Sequence, residues 1–569
     1  MTDVDIDDLR SRIAPLVANI DPERTDEITE GLLTVAERWA PALGLVGTGR
    51  PDQGTAYLIT YGDAFRREGE TPLHTLASVL RDHVRDAVTD VHLLPIYPWT
   101  SDDGFGVVDH RQVNPELGTW KDIADLRADH ALALDFVANH VSASSPWFQG
   151  WLAQDPRYAG YFLEPGPDFD VSRVVRPRVT PLLHQFERPD GSIAKAWTTF
   201  GPDQVDIDPS TPAVLYDLTD VLLGYLAHGA TTVRLDAIGF LWKESGTRCI
   251  HLPQTHDIIR IWRTLVDALA PGTQLLTETN VPHADNITYF GDGSDEAHMV
   301  YQFALPPLVL HAFVTGDAHV LAGWASGIGP VSETATWFNF LASHDGIGIR
   351  PTEGLLTDDD RALLVQRTLA RGGRVSMARR PDGSEGVYEL NTNFLDALVE
   401  PGDPDPDASA VARGLAAHAI LLSVIGVPAI YYHSLLGSGQ DRVGMEQSDI
   451  ARRINREVLD ADVLEQELTS SARRSGMLEG LRHLLTVRRA LPGFSPFADQ
   501  EVVHLDDRVL VIRRAPNTEH EVTAAVNVSG DTVTLPSLSG QDAISGLQVD
   551  GLTLDPYGYA WLIGGTVDS

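Results

Sequence analysis

The sequence predicts an α/β protein, in which a β/α barrel carries an inserted domain, a helical N-terminal extension and a small antiparallel β-domain near the C-terminus. Three observations support this prediction. From residue 56 onward, apolar stretches typical of strands alternate with helical segments, which indicates a parallel sheet with crossover helices. Acidic residues stand at the ends of several of these stretches, where a β/α barrel carries its catalytic groups. After residue 493 the apolar period changes to two, as in antiparallel strands.

The extension and the barrel come first in the chain. Residues 4–41 have apolar side chains at helical spacing, so we expect two amphipathic helices within an extension that covers residues 1–50. We assign the barrel to residues 51–140 and 202–494. The strand patterns within it cover residues 56–61, 90–95, 131–137, 231–236, 274–278 and 336–342.

Two segments interrupt the barrel pattern. Residues 141–201 are too long for a simple βα loop and predict the inserted domain. Residues 346–407 are rich in Gly, Pro, Asp and Arg, and they predict a long loop region over the same barrel face, where it would shape an acceptor pocket or act as a lid. Residues 495–569 form the predicted β-domain, with strand patterns at 509–513, 522–526 and 559–562.

The charge of the chain restricts its partners. The net charge is −37, from 80 acidic and 43 basic residues, and only three of the basic residues are lysines. An acidic surface of this kind argues against a nucleic-acid partner. It favours a salt-rich cytoplasm, where ions screen the self-repulsion. GC-biased coding is the alternative explanation for the missing lysines, but it does not explain the excess of acids.

The sequence has no feature typical of exported, membrane-inserted or disulfide-rich proteins. The first residues are acidic with no apolar segment after them, and no run of about 18 apolar residues occurs, so we expect neither export nor membrane insertion and predict a cytoplasmic protein. The single cysteine, Cys249, excludes an internal disulfide framework. We expect it to be a buried small residue rather than a nucleophile. The oligomeric state is left open.

Three acids at predicted strand ends indicate retaining glycosyl transfer. This chemistry needs one carboxylate that attacks the anomeric carbon and a second, protonated one about 5 Å away that protonates the leaving oxygen. We assign Asp236 as the nucleophile and Glu278 as the acid/base, whose pKa burial and the Asp236 charge would raise. Arg234 lies on the same side of its strand as Asp236 and is expected to lower the pKa of that carboxyl.

Further residues are candidates for holding the sugar. Asp345, with His344 beside it, is expected to bind hydroxyls and distort the ring, and His140 is expected to donate to another hydroxyl. Taken singly, a strand-end Asp is more often a helix cap or a surface charge, and a lone His is more often a core residue. The combination carries the interpretation.

The order and spacing of these motifs resemble the conserved regions of the α-amylase superfamily, glycoside hydrolase family 13. The matching segments are residues 135–140, 233–237, 277–278 and 342–345, with 204–208 as the additional region in the inserted domain. This resemblance implies a (β/α)₈ TIM barrel with a B domain after its third strand and a C-terminal β-sandwich. It also identifies Asp236, Glu278 and Asp345 as the catalytic acids.

Within the superfamily, the chain is similar to the sucrose phosphorylase branch. The resemblance extends from about residue 55 to 490, and it implies that Asp103 and an arginine of segment 452–456, taken as Arg456, close the glucose pocket. An exo-acting enzyme for a single glucose unit follows. The segments that carry this resemblance are residues 58–63, 102–105, 108–110, 114–118 and 176–178.

The branch resemblance also implies the co-substrate. Phosphate needs fixed cationic donors, and Arg176 and Arg178 are the first candidates, with ion pairing to carboxylates as the alternative for either one. Arg442 and Arg452 are candidates for holding a carboxylate-bearing acceptor. Asn139 resembles a calcium ligand of many amylases, yet the branch generally lacks that ion. We therefore predict no obligatory metal and no cofactor. Inorganic phosphate is the predicted co-substrate.

The chain length, the helical extension and residues 197–200 and 432–438 look most like glucosylglycerate phosphorylases. That resemblance implies reversible transfer of glucose from a glucosylglycerate to phosphate, giving α-D-glucose 1-phosphate by double displacement. Alternatives are a phosphorylase of sucrose, sucrose 6-phosphate or glucosylglycerol, or an exo-acting α-glucoside hydrolase. A catalytically dead amylase-like partner protein would lack at least one of the three acids, and none is missing.

Overall fold

The computed structural model describes residues 5–44, 49–85, 87–379 and 384–565. Its centre is a closed barrel of parallel strands that follow one another around the ring in chain order, so the predicted fold class is confirmed. The strands are β1 (Tyr57–Thr60), β2 (Asp90–Leu93), β3 (Ala131–Phe136), β4 (Thr232–Leu235), β5 (Gln274–Thr277), β6 (Met299–Tyr301), β7 (Thr336–Phe340) and β8 (Val427–Tyr431).

Nearly every barrel strand residue is buried, because one face packs inside the ring and the other lies under helices. This is why the strands read as continuous apolar runs in the sequence. Six of the eight were identified there. The other two have weak local signals: β6 spans only three residues, and β8 contains Pro428, which cannot donate a backbone hydrogen bond.

The N-terminal extension consists of helices α1 (Ile6–Ile20) and α2 (Thr25–Trp39), as the periodicity predicts. Helix α1 begins at a capping Asp5 side chain, which accepts from the Asp8 backbone N–H at 3.0 Å. The extension contacts two barrel helices, Pro212–Ala227 and Pro253–Leu269. It therefore covers the outside of the barrel near β4 and β5, away from the strand ends.

The remaining helices form the outer layer and its additions. They are Pro72–Val79, Trp120–Arg127, Pro146–Leu152, His283–Asn286, Leu305–Thr315, His319–Ser326, Asp358–Ala370, Phe394–Leu398, Pro406–Ser423, Tyr432–Leu435, Arg442–Ser448, Ala461–Ser470 and Ala472–Arg489. No helix in the described part of the chain is long and apolar enough to cross a membrane.

Additional structure follows β3 and β7. After β3, strand His140–Ser142 pairs with Gln204–Asp206, and a hairpin joins Leu183–Glu187 to Ile193–Trp197. After β7, strands Ile347–Gly348, Arg374–Arg379 and Glu385–Asn391 form a small sheet, and a helix stands between the first two. The segment interpreted as a long loop thus contains regular structure of its own.

The C-terminal part is an antiparallel sheet that packs on the barrel. Trp561 is fully buried and donates from its indole N–H to Ser423 Oγ at 3.0 Å, and buried Arg514 donates to the Ser423 carbonyl at 2.9 Å. These contacts anchor the sheet to the helix Pro406–Ser423. Its strands are Gln500–Asp506, Val509–Arg514, Val522–Asn527, Val533–Asp542, Gln548–Leu554 and Tyr559–Ile563, and a separate pair is formed by Phe65–Arg66 and Leu459–Asp460.

Candidate active site

A cavity opens at the carboxyl ends of the barrel strands. Asp236, Glu278 and Asp345 all line it, which brings together the three acids singled out from the sequence. Asp236 follows β4, and its backbone N–H donates to the Phe136 carbonyl at 3.0 Å. The N–H of Glu278, which follows β5, donates to the Leu235 carbonyl at 3.1 Å. The backbone hydrogen bonds between neighbouring barrel strands thus place both carboxylates at the same height along the barrel axis.

Arg234 is buried beneath these acids and connects them. Its Nη1 donates to Asp236 Oδ1 at 2.7 Å and also to Asp135, and its Nη2 lies 3.9 Å from Glu278 Oε2. His92 Nε2 lies 2.9 Å from the other oxygen of Asp135. Arg234 and His92 outweigh burial and lower the pKa of Asp135. The guanidinium is thereby held by a permanent carboxylate on the side away from the cavity.

The pKa values of Asp236 and Glu278 show how the pair shares its charge. Burial raises the pKa of both carboxyls, and the positive charge of Arg234 opposes both shifts. Arg234 acts on Asp236 in the expected direction and lowers its pKa, but burial is the larger effect, so the net pKa is raised. Since Arg234 lies 2.7 Å from Asp236 but 3.9 Å from Glu278, a proton on this pair resides on Glu278.

The backbone between the two acids is strained. Ala237 has φ +47° and ψ +30°, a left-handed conformation that non-glycine residues rarely adopt. Its N–H donates to Glu278 Oε2 at 2.9 Å. The strained turn thus directs a donor at the second carboxylate, and it leaves the other oxygen of Glu278 available in the cavity.

Asp345 stands apart from this pair among arginines. Arg452 Nη1 lies 2.6 Å and Arg456 Nη2 3.7 Å from its Oδ1. Burial alone would raise the pKa of Asp345, but Arg452, Arg456 and Arg234 together lower it. Asp345 is therefore ionised over the whole neutral range and accepts hydrogen bonds only.

Asp103 and Arg456 form an ion pair beside the acids. Arg456 Nη1 donates to Asp103 Oδ2 at 2.8 Å, and its Nε donates to the His344 carbonyl at 2.7 Å. Arg453 also contacts Asp103. Asp103 itself has φ +49°. Asp103 is not a lining residue of the cavity, whereas its neighbour Asp102 is.

The two histidines predicted to hold the sugar both line the cavity and are neutral. His344 stacks on Phe105 with ring centroids 4.7 Å apart, and burial together with Arg456 lowers its pKa well below the usual value. Burial also lowers the pKa of His140, whose Nε2 lies 3.1 Å from the Phe105 carbonyl. Neutral imidazoles next to an aromatic face suit hydroxyl groups better than anions.

The four arginines proposed for phosphate or acceptor separate into distinct groups. Arg178 lines the cavity between the rings of Phe200 and Tyr388, at 5.6 and 5.4 Å, and has no ion pair among the described residues. Arg176 does not line the cavity and donates instead to the Thr180 carbonyl. Among the four, Arg178 alone combines a place in the cavity with a free charge.

Arg452 and Arg442 are differently placed. Arg452 lines the cavity, but Glu389 binds it through two oxygens at 3.0 and 2.9 Å, and Asp345 takes a third position. Arg442 lies outside the cavity, where it donates to the Arg371 carbonyl at 2.6 Å. Neither position favours the acceptor-binding interpretation of these two residues.

Asn139, the residue resembling a calcium ligand, faces a lysine. Lys243 Nζ lies 2.9 Å from Asn139 Oδ1 and 2.9 Å from Asp206 Oδ2. Thr199 donates twice more to Asp206, from its backbone N–H at 2.8 Å and its hydroxyl at 2.7 Å. The ammonium group therefore lies between the oxygens that a cation would use.

The cavity residues that the sequence analysis missed include three with polar side chains: Asn280, Arg350 and Tyr388. Asn280 stands two residues after Glu278, and Arg350 five after Asp345. Proximity to the acids is the only sequence signal for these two, and Tyr388 has none. Cys249 is buried, as expected, and donates to the Glu244 carbonyl.

The chain is similar in sequence to known enzymes and in fold to a solved structure. Residues 84–324 match the family model described as Alpha amylase, catalytic domain. A glucosylglycerate phosphorylase of Allomeiothermus silvanus is 48% identical over 89% of this chain and 91% of that protein, and one of Escherichia coli is 44% identical over 90% and 92%. The crystal structure of a sucrose 6F-phosphate phosphorylase from Thermoanaerobacter thermosaccharolyticum has a TM-score of 0.71 at 24% identity, covering 84% of this chain and 94% of that one.

Proposed function

Because this chain belongs to the α-amylase superfamily, in the branch of the glucosylglycerate and sucrose phosphorylases, we propose that it is a retaining glucosyl phosphorylase. The reaction is glucosylglycerate plus inorganic phosphate, giving α-D-glucose 1-phosphate and glycerate, and it runs in both directions. The observation that carries the proposal is the pair Asp236 and Glu278 over the shared Arg234, in a cavity that also holds the uncompensated cation Arg178.

The first step forms a glucosyl-enzyme. Asp236 attacks the anomeric carbon while Glu278 gives its proton to the leaving oxygen of glycerate, so the glycosidic bond breaks as the ester bond forms. In the second step a phosphate oxygen attacks the same carbon and returns Asp236 to its ionised form, and Glu278 recovers a proton from the phosphate. Two inversions preserve the α configuration.

Sugar binding falls to Asp345 and the residues around it. Asp345 is ionised and accepts hydroxyl hydrogen bonds, and the neutral rings of His344 and His140 are proposed to contact further hydroxyls. The Asp103–Arg456 pair lies behind the lining residues Asp102 and His344, and its proposed role is to limit the site to one glucose unit. Hydrogen bonds that strengthen as the ring approaches the oxocarbenium-like state would lower the barrier.

Phosphate rather than water is the proposed acceptor because of Arg178. A guanidinium that lines the cavity with no carboxylate partner among the described residues can bind an anion during turnover through charge-assisted hydrogen bonds. A hydrolase would share all three acids and would not need this charge.

Neither a metal nor an organic cofactor is required in this proposal. Asp206 and Asn139 already share the ammonium group of Lys243, so a divalent ion there would meet a positive charge. Treatment with a chelator is expected to leave activity unchanged. Loss of activity that added Ca²⁺ restores would contradict this part of the proposal.

The proposed setting is a salt-rich cytoplasm. Its support is the net charge of −37, which destabilises a compact chain unless ions screen it. Proposed partners are the sugar substrate and phosphate, with no nucleic acid and no membrane.

The function is tested in the direction of synthesis. The protein is incubated in high salt with α-glucose 1-phosphate and, separately, D-glycerate, glycerol, fructose or fructose 6-phosphate, and phosphate release is measured against a tube without acceptor. Release above that control with glycerate supports the proposal. Preference for fructose or its phosphate would move the enzyme to the sucrose or sucrose 6-phosphate group. Equal release in every tube would mean hydrolysis.

A further inference from the structure

A further arginine, Arg350, lines the cavity, and its ion pair among the described residues is a loose one. It makes no side-chain hydrogen bond among the described residues, and its nearest carboxylate, Glu353, is 3.7 Å away and half-exposed. Asn280 lines the same cavity, and its Oδ1 is buried with no hydrogen-bond partner in the described part of the chain. A cation and an unpaired acceptor oxygen thus stand at the wall of the same cavity.

The backbone fixes both residues in place. Arg350 stands two residues after strand Ile347–Gly348, and the N–H of the intervening Ile349 donates to the Tyr388 carbonyl at 3.0 Å. A Cβ on Gly348 would lie 2.6 Å from the amide atoms of Asn280, so the Asn280 side chain packs directly on this glycine. The small sheet after β7 therefore presents Arg350 and positions Asn280 at once.

The other cavity arginines do not compete for this role. Arg452 is neutralised by Glu389 and Asp345, and Arg178 lies between two aromatic rings, where it is assigned to phosphate. Among the described residues, Arg350 is the lining arginine that meets no ring and pairs only with a half-exposed carboxylate, Glu353, at 3.7 Å.

We propose that Arg350 and Asn280 form the subsite that selects a short hydroxy acid as glucosyl acceptor. Arg350 binds the acceptor carboxylate, and Asn280 Oδ1 accepts a hydrogen bond from a hydroxyl that is not glucosylated. This inference rests on the proposed function and deepens it, because it assigns the acceptor class to residues outside the sugar-binding half of the site.

The chemistry explains the discrimination. A carboxylate matches the planar guanidinium through two parallel hydrogen bonds, whereas glycerol, with a hydroxymethyl group in place of the carboxylate, leaves the cation unpaired as the cavity closes on it. A charged hydrogen bond of this kind changes kcat/KM by about 10- to 100-fold. Rejection of neutral acceptors would then follow from the unpaired cation more than from shape.

The test compares Arg350→Gln with the wild-type protein and with Arg442→Gln. Arg442 is the matched control, because it is an arginine near the same segment that lies outside the cavity. With α-glucose 1-phosphate as donor, kcat/KM is measured for D-glycerate and for glycerol. We expect the glycerate-to-glycerol ratio to fall about 10- to 100-fold in Arg350→Gln and to stay unchanged in Arg442→Gln.

A second variant tests Asn280 while Arg350 stays in place. Gly348→Ala leaves Arg350 in the chain but places a methyl group against the Asn280 amide, so it should raise the KM for glycerate more than the KM for α-glucose 1-phosphate. An unchanged acceptor ratio in Arg350→Gln at wild-type Tm would overturn the inference and leave the proposed function standing. Absence of transfer to any acceptor by the wild-type protein would overturn both.

Discussion

Two sides of one cavity are built in contrasting ways. On the barrel side, formed by Asp236, Glu278, His344 and Asp345, each carboxylate meets an arginine or a backbone N–H, and the backbone belongs to the barrel strand ends. The loop side is formed by Arg178, Asn280, Arg350 and Tyr388. There Arg178 has no carboxylate partner among the described residues, and Arg350 has only the half-exposed Glu353 at 3.7 Å. The difference indicates that the barrel side performs the chemistry and the loop side chooses the molecule that receives glucose.

The largest effect is expected from Asp236→Asn on the barrel side. The variant keeps the shape of the side chain and leaves Arg234 paired with Asp135, but it removes the attacking oxygen charge. We expect kcat to fall by about 10⁴-fold. Steady-state phosphorolysis measures the loss, and circular dichroism checks the fold. Retention of more than a small fraction of activity would assign the nucleophile elsewhere.

Glu278→Gln should have a smaller effect that depends on the leaving group. Loss of the proton donor should slow cleavage of a glucosylglycerate by about 10³-fold. Glucosyl fluoride needs no protonation to leave, so formation of the glucosyl-enzyme from it should be much less affected. Equal loss with both donors would contradict the acid/base assignment.

The pH profile gives an independent check on the same residue. Because burial raises the pKa of Glu278, the protonated form persists above the usual carboxyl range, and activity should decline as pH rises through the folded-state pKa. A raised folded pKa also means that stability is lost over the same rise. Glu278→Gln should therefore lose the alkaline limb and melt higher than wild type, with the difference growing with pH.

Lys243→Met removes the buried ion pair between Lys243 and Asp206. Lys243 and Asp206 are both buried, so the variant leaves a carboxylate without its cation and should cost about 3 kcal/mol of unfolding free energy. Urea denaturation measures it. Lys121→Met, which breaks the exposed pair with Asp125, is the matched control and should change nothing measurable. Equal stability of the two variants would contradict the structural role of Lys243.

On the loop side, Arg178→Gln should raise the KM for phosphate by about 10- to 100-fold, because one charge-assisted hydrogen bond is lost. Arg176→Gln is the control, since Arg176 donates to the Thr180 carbonyl away from the cavity. Initial rates against phosphate concentration distinguish the two. A larger effect from Arg176 would reverse the assignment.

Salt should produce the smallest and most general effect. With a net charge of −37, the melting temperature is expected to rise by a few degrees from low to high KCl concentration as the ions screen repulsion. An uncharged osmolyte at matched osmolarity is the control. A melting temperature that falls with KCl would contradict the salt-rich setting.

The contrast between the two sides also explains what the sequence could predict. Asp236 and Glu278 directly follow apolar runs that form β4 and β5, so local pattern is sufficient to find them. Arg350 and Tyr388 come from the segment after β7, and they reach the cavity because a small sheet folds back over it. No local sequence pattern predicts that this sheet folds back over the cavity.

Pairing across the chain has the same limit. Lys243 reaches Asn139 across 104 residues, and Arg452 reaches Glu389 across 63, so partner identity depends on tertiary structure. Composition and motif spacing identify Arg176, Arg178, Arg442 and Arg452 as cations near the site. Only their contacts distinguish a free guanidinium from a neutralised one.

The most direct test of the central claim is phosphorolysis of 2-O-α-glucosylglycerate with inorganic phosphate, followed by NMR of the first product. The arrangement of Asp236, Glu278 and Arg178 predicts α-D-glucose 1-phosphate, formed in equal amount with glycerate. Free glucose as the first product would mean that water is the acceptor, and β-glucose 1-phosphate would mean a single displacement. Either result would contradict the account.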